Sequence, residues 1–297
     1  MRDVTLIFET DNEAPFHAIR LRDAMLAWRN QTAADRVLEW VVVSPRPASP
    51  DEQKLMEGVE VRWLEQEGLL YYQQKNAAIA VSRGRWVAMA DSDSIPAPDW
   101  LEKALTAFEK ADPTIASITG STAYAAGPFS RELTLAHFPV QGAEPAETKC
   151  ACGNNTIFRG EAIRSTPFPG GHIRHGADME IARRVGAAGW RTWFDPSLHM
   201  LHNFANSSRD LWGHCAFKGY CFASYEEFLG QKRRRPVING IGRFRVLARR
   251  LFELRPLVGI PAWRVPLSLL FYAWYCVAAG SGYARSLAGA PEPVSTF

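Results

Sequence analysis

The chain opens on a short β-branched apolar run at residues 4–8, which passes into the polar stretch Glu9-Thr10-Asp11-Asn12-Glu13; residues 16–28 then carry apolar side chains at helical spacing. The same alternation recurs. Buried-type strands are predicted at 38–43, 59–64 and 85–90, and a helix at 69–82. Pro98 and Asp99 start another helix, with Trp100, Leu101, Leu105 and Phe108 on one face. Further strands are expected at 115–124, 151–158 and 191–202, with a helix at 178–188 ended by Gly189. Residues 127–149 are Pro-containing and irregular, and read as a loop. Strands alternating with helices predict an α/β fold around a mostly parallel sheet.

After residue 205 the pattern changes. Residues 208–229 read as an aromatic-rich helix; from 243 to 254, Phe244, Leu247, Ala248, Leu251 and Leu254 share one face opposite Arg245, Arg249 and Arg250, which is a basic amphipathic helix. Residues 265–284 hold no charged side chain, but the strongly apolar part is only 267–279, a length that suits a membrane span, an interfacial helix or a covered core helix. The expected organisation is a catalytic domain over 1–205 and a C-terminal helical region over 206–297.

Composition adds three constraints. Hydrophobic residues make up 47% and charged residues 22%, so a core of ordinary size can form. The net charge of +3 is too small to imply a nucleic-acid partner, yet residues 230–264 hold ten Lys or Arg against one acid, Glu253. That local excess points to an anionic surface met by this segment alone, such as a membrane leaflet. Five cysteines in no disulfide pattern favour a reducing compartment, and an N-terminal strand leaves no secretory signal.

The sharpest chemical signal is Asp91-Ser92-Asp93, placed directly after a buried strand, where open α/β sheets hold ligands. Two carboxylates two residues apart can reach one hard cation, Mg²⁺ or Mn²⁺, which neutralises a diphosphate. Taken alone, the same residues could be a solvated turn with an Asp capping the next helix. His199, His202, His214 and Cys215 fit no standard zinc spacing, and Cys150 and Cys152 read as small buried residues.

Several short motifs then follow one another in order: the opening strand and polar loop, Lys75-Asn76-Ala77-Ala78, Ser82-Arg83-Gly84-Arg85-Trp86, Ala90-Asp91-Ser92-Asp93 with Pro96 and Trp100-Leu101, Cys152-Gly153-Asn154-Asn155, and Gly176-Ala177-Asp178-Met179-Glu180. Together they resemble the family 2 glycosyltransferases with the GT-A fold, over roughly residues 3–205. The resemblance implies an inverting transfer from a nucleoside diphosphate sugar to a hydroxyl on a glycan or lipid-linked acceptor. It implies Thr10, Asn12, Glu13, Lys75, Asn76, Asp91 and Ser92 on the donor side, Asp91, Asp93 and His202 at the metal, and Asp178 as general base. Asn154, Asn155, Asp178 and Trp212 would meet the acceptor.

Two positions depart from the pattern. Ala177 stands where most relatives have Glu before the Asp, with Glu180 as a nearby substitute, and Ser44-Pro45-Arg46-Pro47 replaces the usual Asp-Asp-Gly-Ser near the nucleobase. These departures leave room for an inactive carbohydrate-binding scaffold on the same fold. A nucleotidyltransferase is disfavoured because the loop after the first strand is acidic where a phosphate-binding loop would be Gly-rich and basic. With a basic C-terminal region, the expected location is the cytoplasmic face of the cell membrane.

Overall fold

A computed structural model describes residues 1–11, 19–125, 127–138, 142–170, 176–203, 208–231 and 236–291, without side-chain detail at 208–210 and 236–238. The chain divides into two compact units: residues 1–122, 143–172 and 177–203 form the first, and 123–142, 173–176 and 204–297 the second.

The first unit is built on a twisted sheet. Strands β1 (Val4–Glu9), β2 (Val37–Ser44), β3 (Val61–Glu65) and β4 (Trp86–Asp91) pair in parallel in the order β3-β2-β1-β4. β1 and β4 are buried along their whole length, which explains why both read as continuous apolar runs without alternation. The sheet continues through β8 (Thr156–Arg159), β6 (Ile115–Tyr124), β9 (Arg191–His202) and β5 (Ser94–Pro96), with β7 (Ala146–Glu147) beside β9. The β4–β8, β6–β8, β5–β9 and β7–β9 pairings are antiparallel.

Helices α1 (Leu21–Arg29), α2 (Pro50–Met56), α3 (Tyr71–Val81), α4 (Trp100–Lys110), α6 (Gly160–Ser165) and α7 (Ala177–Ala187) complete the unit. α1 buries Leu21, Ala24, Met25 and Trp28, a spacing of three and four that gives one apolar stripe. α4 does the same with Trp100, Leu101, Ala104, Leu105 and Phe108, and Trp28 meets Trp100 edge to face at 5.1 Å. These side chains, with Leu6, Phe8, Trp40 and Trp86, make the main core.

Three sequence expectations shift. The strand expected at 151–158 begins only at Thr156, because 151–155 turns: the Asn155 amide donates to the Cys152 carbonyl at 3.0 Å and the Ala151 amide to Asp178 O at 2.9 Å. The loop expected at 127–149 contains α5 (Ser130–His137) and β7. An eight-residue helix with buried Glu132 and Thr134 among its apolar positions offers too weak a period to be seen in sequence. The helix expected at 16–28 starts, among the described residues, at Leu21.

The second unit is helical: α5, α8 (Ser208–Phe228), α9 (Pro236–Leu254) and α10 (Val265–Leu287). α8 and α10 pack at backbone distance. A Cβ on Gly219 would fall 1.8 Å from the Ala279 carbonyl oxygen, and one on Gly282 would fall 1.7 Å from that of Ala216. Leu133, Leu211, Leu251, Phe271, Tyr272 and Tyr275 lie in the core of this unit.

Candidate functional site

Parallel pairing of β1 with β4 sets Glu9 opposite Asp91 at the carboxyl edge of the sheet. Asp93 follows two residues on and is fixed through β5, where the Asn203 amide donates to the Asp93 carbonyl at 3.1 Å. Glu9, Asp91 and Asp93 are all buried, and each brings a carboxylate oxygen within 4.8 Å of the others. His202 Nε2 lies 3.4 Å from Asp93 Oδ2, because Ser94 and His202 are register partners.

Burial pushes the Glu9 carboxyl well above its usual range, and Asp91 and Asp93 beside it push the same way. Asp91 is raised chiefly by burial, against the pull of the buried Lys75 ammonium, with which it forms a direct ion pair. Among the described residues, the one ammonium of Lys75 faces three buried carboxylates, which leaves the group short of positive charge. The hydroxyl of Ser92, the buried residue between the two aspartates in sequence, has no hydrogen-bond partner among the described residues. A set of hard oxygen donors with excess negative charge fits a divalent cation such as Mg²⁺ or Mn²⁺. Among the described residues no cluster of His and Cys offers a comparable set.

α3 links this acidic group to Asp178. Tyr71 Oη donates to Asp91 Oδ2 at 2.6 Å, and Tyr72 Oη donates to Asp178 Oδ1 at 2.7 Å. Burial and then the facing carboxylate raise both phenols well above the usual tyrosine value, so both remain O–H donors. The Tyr71 and Tyr72 rings meet edge to face at 4.5 Å, and Lys75 Nζ lies 4.3 Å from the Tyr71 centroid. Gly153 is the meeting point. Its carbonyl accepts from Lys75 Nζ at 3.0 Å, its amide donates to Asp178 Oδ1 at 3.1 Å, and a Cβ there would sit 3.0 Å from Tyr71 Oη. Asp178 is the second residue of α7, where the helix dipole also favours its charge.

The remaining sequence candidates have diverse placements. The Thr10 amide donates to Gln74 Oε1 at 2.8 Å and its hydroxyl to the Val43 carbonyl at 3.1 Å, so Thr10 ties β1 to α3 and β2. Asn12 and Glu13 lie outside the described residues. Asn76 uses both ends of its amide on the Phe168 backbone, at 3.0 Å each. Asn155 is held by Trp100 Nε1, Thr122 Oγ1 and the Leu198 carbonyl, all in the interior. Asn154 is buried beside Gly153, its Nδ2 without a partner among the described residues. Trp212 belongs to the second unit, on α8, with its ring 5.4 Å from Trp274. Glu180 is directed to Arg183 and Arg184 on its own helix. In the loop after β2, Arg46 forms a fork with Glu52 at 2.7 and 2.8 Å.

Sequence reasoning missed Glu9 as a metal-group member and Tyr71, Tyr72 and Gly153 as its link to Asp178. A carboxylate ending a wholly apolar strand was the available signal for Glu9.

A half-parallel, curled sheet with an acidic group at the carboxyl edge of its central strands defines the GT-A class of sugar-transferring folds. Residues 48–166 match the sequence family described as Glycosyl transferase family 2, and the chain has the GT-A fold. Among solved structures, the mannosyltransferase PcManGT from Pyrobaculum calidifontis, in complex with GDP-Man and Mn²⁺, superposes with a TM-score of 0.62 and 17% identity. The superposition covers 96% of this chain and 87% of that one. A crystal structure of GalNAc-T7 with UDP, GalNAc and Mn²⁺ aligns over 68% of this chain and 44% of that one, with a TM-score of 0.48 and 16% identity. No curated protein sequence matches the chain.

Proposed function

We propose that the chain transfers a sugar, with inversion, from a nucleoside diphosphate sugar to a hydroxyl group of a lipid-linked or cell-surface glycan precursor. The observation that carries this reading is the chain of contacts joining the Glu9, Asp91 and Asp93 group to Asp178 through Tyr71, Tyr72 and Gly153. These contacts support a reading in which a cation-binding group and a carboxylate base share one frame, as an inverting displacement requires. The complex of the Pyrobaculum calidifontis relative with GDP-Man and Mn²⁺ supports a guanosine donor as the first to try.

In this reading Asp178 accepts the proton of the acceptor hydroxyl. The oxygen forms its bond to the anomeric carbon as the bond from that carbon to the diphosphate breaks, and the nucleoside diphosphate leaves with the bonding pair. Glu9, Asp91 and Asp93 would hold the divalent ion, which offsets the charge of the leaving diphosphate. Tyr72 and the Gly153 amide aim one oxygen of Asp178 and stabilise it as a carboxylate. Lys75 and Tyr71 hold Asp91 in place.

Membrane placement at the cytoplasmic face belongs to the same proposal and is supported by the basic excess of residues 230–264 beside a stretch, 265–284, that carries no charge. The alternative of an inactive scaffold draws its support from Ala177.

The test is thermal stabilisation of the purified chain by GDP, UDP, CMP and dTDP sugars, with and without Mn²⁺, repeated on Asp93→Ala and Asp178→Asn. The expected result is a metal-dependent shift with one donor class, lost in Asp93→Ala and kept in Asp178→Asn, while Asp178→Asn abolishes transfer. No shift with any donor would remove the transferase reading and leave the scaffold.

A further inference from the structure

The helical stretch 262–287, a 3-10 turn at 262–264 running into α10, is long and apolar enough to cross a membrane by length and composition, yet it is divided lengthwise. Phe271, Tyr272, Tyr275, Cys276, Ala279 and Tyr283 are buried within the second unit. Trp263, Leu267, Leu270, Trp274 and Val277, spaced alternately by four and three, fall on the other side of the helix. Trp263 is 77% exposed, Leu270 70%, Val277 65% and Leu267 45%; Trp274 is half-buried. Single exposed apolar residues are ordinary, whereas a continuous stripe along four turns is the mark of an interaction surface.

The covered side is tied down by polar groups. Arg264 Nε and Ser268 Oγ both donate to the buried Glu132 Oε1, at 2.9 and 2.7 Å; Tyr272 Oη donates to the Glu132 carbonyl and Tyr283 Oη to Glu226 Oε2 at 2.6 Å. A helix crossing a bilayer alone would carry these partners into hydrocarbon or strip them away, and either course is costly. Basic charge lies on the same side of the helix: Arg285, exposed near the end of α10, follows Leu267 by about five full turns. α9, which packs on α10, exposes Arg245 and Arg249, the latter paired with the exposed Glu253.

We infer that the outer stripe of α10 is an in-plane docking surface for an anionic lipid leaflet, with α10 half-immersed and parallel to the surface. The stripe supplies apolar insertion and the neighbouring arginines supply charge complementarity. The inference deepens the membrane part of the proposed function and does not depend on the transfer chemistry.

The test uses the full purified chain with phosphatidylcholine vesicles, with and without phosphatidylglycerol, comparing wild type with Leu270→Glu and Trp263→Ala. Folding of each variant is checked by circular dichroism and by the donor-dependent thermal shift. The expected result is co-sedimentation that is stronger with phosphatidylglycerol, released by alkaline carbonate, and about tenfold weaker in Leu270→Glu. Vesicle binding that is absent, or unchanged in both folded variants, overturns the inference. So does resistance to alkaline carbonate, which would mean a span, and so does a concentration-dependent dimer lost in the variants, which would mean a protein partner. Vesicle binding without any donor shift would leave this surface standing while removing the transferase reading.

Discussion

Glu9 offers a direct test of the acidic group, because it lies opposite Asp91 across the β1–β4 pair and ends a wholly buried strand. In the metal-free protein its folded pKa is raised by burial and by Asp91. A raised folded pKa means that the carboxyl favours the folded state while protonated, and that this contribution is lost as pH rises through the raised value. Metal binding runs the other way, since the ion needs carboxylates and must displace the proton. A saturating ion at about a hundredfold over its dissociation constant stabilises the fold by about 2.7 kcal/mol. For a chain of this size that corresponds to a melting-temperature rise of about 4 °C. Each proton displaced weakens the ion about tenfold per pH unit below the raised pKa, so at fixed Mn²⁺ one unit lower the gain falls to about 1.4 kcal/mol. The assay is thermal unfolding with and without Mn²⁺ from about pH 5 to pH 8, on wild type and Glu9→Gln. The Mn²⁺ shift is expected to grow with pH in wild type, and to be small and flatter in Glu9→Gln. Glu9→Gln without metal should be at least as stable as wild type at neutral pH. A shift that is independent of pH, or that survives intact in Glu9→Gln, would refute the assignment of Glu9 to the ion.

Two further outcomes test other parts of the molecule. Tyr72→Phe removes one charge-assisted donor from Asp178 and leaves the Gly153 amide, so kcat should fall about tenfold with KM for the donor little changed; an unaltered kcat would make the contact merely structural. Gly219→Ala forces a methyl group into the Ala279 carbonyl, and although Ala is the better helix former by about 1 kcal/mol, the overlap should dominate and cost about 1 to 3 kcal/mol in urea unfolding.

The parallel half of the sheet could be read from the sequence because wholly buried strands leave unbroken apolar runs, and β1, β2 and β4 are of that kind. Asp91 and Asp93 were legible for the same reason: they end such a run. Glu9 ends one too, but its meaning depends on the register that sets it against Asp91, which is a property of pairing between distant segments. Asn76 and Asn155 show the converse. Both sit inside motifs that read as ligand contacts, yet each directs its amide at buried backbone or core groups, where it fastens the frame around the site. A polar side chain in a motif does not reveal in sequence whether its partner is a ligand or a peptide group.

The departure at Ala177 gains its physical sense from the same contacts. The lost carboxylate would have stood next to Asp178, and Glu180, the nearest candidate to replace it, is held by Arg183 and Arg184, which lower its pKa and turn it along the helix surface. The orientation of Asp178 is supplied from elsewhere, by the Tyr72 hydroxyl and the Gly153 amide, and both come from elements that also hold Asp91: Tyr72 is adjacent to Tyr71, and Gly153 accepts from Lys75. In the proposed reading, a base held in this way is coupled to the acidic group through the adjacent Tyr71 and Tyr72 and through Gly153. Under that reading, Ala177 changes how the base would be held and does not by itself argue for an inactive fold.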